Sequence, residues 1–197
     1  MAEKSLKKIF LSASIPYADR HPRFYDTADI LAIRDSVRAL AAVVIPRAHL
    51  VWGGHPAITP LIRHVVQHMR AELKNHITIY QSKHFEAVFP EDNFAFENIR
   101  LTEDWGDVPQ SVFHMRKAMF KENEFSAAIF IGGMEGVIDE YIMFKEYHPT
   151  ALTLPIASTG AAAKILYNDY FQHKNERLTG DYAYMVLFRD LLADFIQ

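Results

Sequence analysis

The sequence has no cysteine among its 197 residues. Disulfides and thiolate metal sites are thereby excluded, and a reducing, cytoplasmic setting is expected. Long apolar runs are also missing. The basic residues Lys4, Lys7 and Lys8 are followed by an apolar stretch over residues 9–15 alone. That is too short for a secretory leader, and far below the roughly 18 apolar residues of a membrane helix. Positive charge is sparse and scattered: 21 Lys and Arg stand against 24 Asp and Glu, a net charge of −3. Surfaces that coat nucleic acid show a basic stripe. Neither nucleic acid nor membrane is therefore an expected partner, and a small ligand is. If that ligand is anionic, backbone amides and a few placed side chains have to hold it. Repeats, low-complexity tracts and linkers are absent too, so one domain spanning residues 1–197 is expected.

What is present alternates short apolar runs with longer amphipathic ones. Strands are expected over residues 9–15, 50–52, 77–80, 127–131 and 151–156, with a further short one over 98–101 inside an irregular stretch, 82–107. Residues 27–44 carry apolar side chains at steps of three and four and read as a helix ending before Pro46. Further helices are expected over 59–73, with Thr59 as cap and Pro60 as first residue, and over 109–121, 136–147, 158–171 and 181–195. Strand, turn and helix repeated in this way give an α/β fold: a Rossmann-like, doubly wound, mostly parallel sheet with helices on both faces. Right-handed crossovers then bring the strand-to-helix turns to one edge, where open sheets of this kind bind ligands.

Glycine is uncommon, with eight in the chain, yet Gly53, Gly54, Gly132, Gly133, Gly136 and Gly160 all sit where a strand hands over to a helix. Such glycines let the chain turn sharply and let a ligand approach the backbone. The helix starts behind them offer free amides and a positive dipole end, suited to phosphate. A glycine there also serves simply to turn, so the convergence of three turns carries more weight than any one. Ser12 and Ser14 add hydroxyls at the end of the first strand; His55, Thr59, Met134, Glu135, Ser158 and Thr159 complete the set of candidate ligand-binding residues. A nucleotide is expected to touch the backbone over residues 132–136 and 53–55. Valine at Gly133 is expected to block it without unfolding the protein.

The stretch Gly132-Gly133-Met134-Glu135-Gly136-Val137-Ile138-Asp139-Glu140 resembles the PGGxGTxxE signature of the Lonely Guy enzymes, phosphoribohydrolases that cleave the N-glycosidic bond of nucleoside monophosphates. Upstream, His114-Met115-Arg116-Lys117-Ala118-Met119 resembles that family's MxxRKxxM-type helix. Ile131 stands in place of the leading Pro, Met134-Glu135 is one residue longer than the usual spacer, and Val137 replaces Thr. The turn from Gly53 to Pro60 also differs. These departures make the chain more similar to the wider SLOG superfamily, which includes nucleotide-sensing domains of bacterial conflict systems. That resemblance implies an ADP-ribose-type or other nucleotide signal, a homodimer, and an effector protein as a further partner. It implies no cofactor.

Carried over from the enzymes, the catalytic pair is Arg116 and Glu140. A carboxylate beside a ribose stabilises the positive charge that develops as the glycosidic bond breaks, or activates water. An arginine orients phosphate or carboxylate through its planar fork. The same two residues also suit an ion pair that merely joins two helices. His64 and His68 have metal-ligand spacing, but no third ligand accompanies them, so no metal is expected. Phe85, Phe89, Phe94 and Phe96 suit a base pocket, a core or an oligomer interface. Two functions stay open, a nucleotide sensor and a nucleotide N-glycosidic hydrolase or transferase; the intact cluster of glycine turns argues against a third, a structural partner protein that keeps the fold without a ligand.

Overall fold

The computed structural model describes residues 6–19, 22–171 and 175–196; Lys4 lies outside them. In chain order the elements are β1 (Lys8–Ser14), α1 (Pro22–Tyr25), α2 (Ile30–Val44), β2 (His49–Trp52), α3 (Thr59–Val66), β3 (Ile77–Ser82) and β4 (Ile99–Thr102). They continue as α4 (Val108–Lys121), β5 (Phe125–Gly132), α5 (Glu135–Tyr147), β6 (Leu152–Ile156), α6 (Ala161–Tyr170), α7 (Arg177–Gly180) and α8 (Tyr184–Leu191). The strands form one sheet in the order β4-β3-β2-β1-β5-β6. Every neighbouring pair is parallel, so the expected Rossmann-like α/β architecture holds.

The strands read as nearly unbroken apolar runs because both faces of the sheet are covered. On one face Ile9, Leu11, Leu50, Trp52, Ile79, Ile129 and Ile156 pack against α2, α3 and α8. On the other, Phe10, Val51, Tyr80, Ala128 and Phe130 meet Met115, Met119 and Phe120 of α4, Phe144 of α5 and Leu166 of α6. Phe10 is the hub of this second layer: its ring lies edge-on to Phe120 at 5.0 Å and stacks on Phe144 at 5.7 Å. Such ring pairs each add about 0.5–1.5 kcal/mol beyond the area they bury. Among the described residues no helix is long and apolar enough to cross a membrane.

Several boundaries differ from the sequence pattern for local reasons. The second helix starts at Ile30, not residue 27, because Asp29 caps it by accepting the Ala32 N–H at 2.9 Å. Thr27 is drawn away, its hydroxyl accepting the Ala161 N–H at 3.0 Å. Thr59 does not cap α3; Ile58 holds that place without a side-chain bond. That helix stops at Val66, and a 3-10 turn at Ala71–His76 leads into β3. Ser158 and Thr159 lie in a 3-10 turn, and α6 begins only after Gly160. The closing helix is shorter than the expected 181–195, running from Tyr184 to Leu191, because Asp181 is extended, accepts the Ala183 N–H at 2.9 Å and pairs with Arg177 of the short α7 before it. The stretch after β3 holds two 3-10 turns, Lys83–Val88 and Glu91–Ala95, before β4.

His49, at the start of β2, has its Nε2 2.8 Å from Thr78 Oγ1. Burial lowers its pKa from 6.5 to about 4, with Lys8 and His76 adding to the shift. The folded state therefore resists this proton, and the unfolded chain takes it up first as pH falls. The contribution of neutral His49 is complete above pH 6.5 and is lost as pH drops towards about 4. His49→Gln is expected to make the decline of melting temperature across that window shallower, as followed by circular dichroism. Parallel curves for the two proteins would contradict this account.

Candidate functional site

The strand order turns round at β1: β2, β3 and β4 build outward on one side, β5 and β6 on the other. A crevice at the C-terminal ends of the strands is expected at such a switch point. Along β1 the pleat sends Phe10, Ser12 and Ser14 to the same face. Phe10 meets the aromatic layer, and Ser12, two residues on, meets a carboxylate: its hydroxyl donates to Glu140 Oε2. Arg116 of α4 donates from Nε to Glu140 Oε1 at 3.1 Å and from Nη2 to Gly136 O at 3.0 Å. Its Nη1 reaches Asp139 Oδ2 at 3.5 Å. The side chains of Arg116 and Glu140 are 14% and 15% exposed. A pair this enclosed gives back much of its attraction as desolvation. It is held because both carboxylate oxygens and several guanidinium hydrogens have partners, and it fixes β1, α4 and α5 relative to one another.

Beside this network lies a cleft of about 300 Å³. One wall is the turn after β2, from Gly53 to Pro56; another is Phe85, Val88, Phe89 and Pro90 in the loop after β3. Gln81, Ser82, Met115, Arg116 and Glu140 complete it. Of the described residues lining the cleft, Arg116 is the one Lys or Arg, and Glu140 offsets it. His55 is half-buried here, and burial lowers its pKa to about 4, so at neutral pH it is an uncharged imidazole. Its Nδ1 accepts the Ala57 N–H at 3.2 Å, which leaves Nε2 as the donor. Helix α5 begins behind Met134 with no side-chain cap. Its first amides carry the usual partial positive charge of a helix start.

Residues 23–192 match the model of the SLOG cluster3 family. The chain belongs to that family. A crystal structure titled TM1055, a structural genomics target, is similar in fold: TM-score 0.59 at 12% identity, covering 94% of this chain and 99% of the other. No curated protein matches the sequence. Family and fold together support a nucleotide-related Rossmann-like domain.

Within this SLOG chain the candidate residues separate into two groups. Gly53, Gly54, His55, Arg116 and Glu140 line the cleft, and Ser12 joins them through Glu140. Gly132 and Gly133 do not line it, because their backbone bonds are spent inside the fold. The Gly132 N–H donates to Thr159 Oγ1 at 2.8 Å, and the Gly133 N–H to Ser14 O at 2.9 Å. Gly133 O accepts the Ala162 N–H at 3.1 Å. Thr59 and Thr159 are fully buried. The Thr59 hydroxyl donates to His55 O at 3.2 Å, which braces the turn below the cleft. Ser158 Oγ lies 3.0 Å from Tyr184 OH, and the residue borders a separate groove with Asp29, Lys164 and Tyr182. Met134 packs against the second core layer, and Glu135 is exposed.

The four phenylalanines of the irregular stretch also divide. Phe85 and Phe89 wall the cleft, Phe96 packs edge-on to Trp52 at 5.4 Å, and Phe94 is 84% exposed. Gln81 was missing from the sequence reading. Its signal was a polar Gln-Ser pair closing an apolar strand, as Ser12 and Ser14 close β1. His64 and His68 stack edge-on at 5.3 Å. Among the described residues no group of three or more His, Asp and Glu could hold a metal ion.

Valine at Gly133 does not make the clean test that the sequence suggests. This glycine has φ +85°, and a Cβ there would sit 2.2 Å from Val137 Cγ2. Val137, which stands in the place of the family's Thr, is buried in the core. Backbone strain and overpacking each cost about 1–3 kcal/mol. Gly133→Val is therefore expected to lower the denaturation midpoint markedly. Gly53→Ala, whose Cβ would meet only Met115 Cε at 3.4 Å, is expected to leave it nearly unchanged. Equal midpoints for the two variants in urea would refute the distinction.

Proposed function

We propose that this chain binds a nucleotide or ribose-phosphate derivative in the cleft between the Gly53–Pro56 turn and the Phe85–Pro90 loop, and returns it intact. In the setting that the SLOG resemblance implies, that is the work of a sensor domain answering an ADP-ribose-type signal beside an effector protein. The aromatic and aliphatic wall offers a face for a base. Arg116 and Glu140 offer polar groups for a ribose and its phosphate.

The observation that carries this reading is the occupation of Glu140. Arg116 holds one carboxylate oxygen and Ser12 the other. A carboxylate so engaged is a poor base towards water, yet it remains able to accept a ribose hydroxyl. The enzyme reading draws on a different observation, that Arg116 and Glu140 line the cleft side by side, as cleavage of an N-glycosidic bond needs.

Chromatography for free base separates the two after incubation with nucleoside monophosphates and ADP-ribose, with binding followed by calorimetry. Binding without release of base is expected. Turnover by the wild type that Glu140→Gln lowers by about 10²–10³ would establish the hydrolase instead.

A further inference from the structure

Packing does little to hold the aromatic wall of the cleft. Of the described residues 83–90, which include Phe85, Val88, Phe89 and Pro90 of that wall, none is buried. Lys83–Val88 is a 3-10 turn, a short element whose own hydrogen bonds are poorly aligned. A wall of this kind depends on how its ends are tied. Beyond Pro90, the buried Asn93 ties the far end to the sheet by donating to Gln81 Oε1 at 2.7 Å.

The near end is tied to the loop after β4. Lys83 Nζ lies 2.7 Å from Glu103 Oε1, and His84 Nδ1 lies 2.8 Å from Asp104 Oδ1. The first pair is open to solvent and contributes little. The second belongs to a larger junction. Asp104 Oδ1 also accepts the Gly106 N–H at 2.8 Å and the Ser111 hydroxyl at 3.3 Å. Ser111 is fully buried in α4, and its oxygen accepts the Trp105 N–H at 2.9 Å. The Gly106 N–H, with His84 beside it, holds the Asp104 carboxyl below its usual range, so it is ionised at neutral pH. A carboxylate can only accept, so His84 turns its Nδ1 hydrogen towards it and the ring is set. That ring stands edge-on to Phe85 at 5.2 Å. One oxygen thereby connects α4, which brings Val112, Met115 and Arg116 to the cleft, with Phe85 of the wall.

We infer that His84 and Asp104, neither of which lines the cleft, are positioning residues for the base: Asp104 holds the His84 ring, the ring props Phe85, and the wall is kept in place relative to α4. This inference rests on the reading of the cleft as a nucleotide site and adds what shapes its base end.

AMP and ADP-ribose carry a base, and ribose 5-phosphate does not. Calorimetry on the full chain therefore separates the wall from the rest of the cleft. Asp104→Ala is expected to weaken the tighter of AMP and ADP-ribose about three- to fivefold, the upper range for a partly exposed pair, and to leave ribose 5-phosphate unchanged. Asp104→Asn keeps an accepting Oδ1 and is expected to bind as the wild type does. Unchanged affinity for the base-bearing ligand in folded Asp104→Ala overturns the inference and leaves the nucleotide site standing. So does an equal loss for ribose 5-phosphate, or an Asn variant as weak as the Ala variant. Where ribose 5-phosphate binds too weakly to measure, the Ala and Asn variants compared on the base-bearing ligand decide. If Asp104→Ala does not fold, His84→Ala, which removes the same contact, is read in its place. Wild type that binds none of the three ligands overturns both readings.

Discussion

A parallel sheet buried on both faces constrains everything else in this molecule. Each of its strands must be re-entered from the same end, so each connection leaves from the opposite edge. Apolar side chains fill the strands from Ile9 to Ile156, and polar ones accumulate where the strands run out: Ser12, Ser14, His55, Gln81, Ser82. Because the connections follow the sheet outward in both directions from β1, the helices α4 and α5 flank its C-terminal end on one face. Arg116 and Glu140 meet there without any local motif bringing them together.

Two kinds of turn coexist at that edge. The Gly132-Gly133 turn is consumed by the fold: its amides bond to Thr159 and Ser14, and the space beside it is filled by Val137. Gly160 goes further, since a Cβ there would fall 1.7 Å from Thr27 O, where two backbone segments touch. The turn at Gly53 is different. It opens on a cleft, is braced from below by Thr59, and has in His55 a ring kept neutral by burial. Glycine at a strand-to-helix turn thus serves packing in one place and access in another, and neighbouring side chains decide which.

The Ser12–Glu140–Arg116 network joins three elements with four hydrogen bonds or ion contacts drawn from two helices and a strand. Its enclosed charges add little net stability, since desolvation offsets their attraction. They fix position instead. A ligand meeting this surface finds groups already oriented, so it forgoes less side-chain freedom on binding.

The architecture was legible in the residues themselves. Apolar strand runs, helices with period 3.6, and glycines placed at the junctions leave few topologies open. The motif around Gly136 and Glu140, with the Arg116 helix before it, named the family. The site was legible in part: Arg116, Glu140, Gly53 and His55 could be chosen because their residue types and turn positions are local signals. Which turns open on the cleft was not. Thr59 and Thr159 look like free hydroxyls in the sequence and are buried braces in the fold, and Gln81 looks like the tail of a strand and lines the cleft. Periodicity fixes the face on which a side chain lies, because it depends on the chain's own geometry. Whether that face meets solvent, a neighbour or a cavity depends on elements distant in sequence, and only tertiary packing decides it.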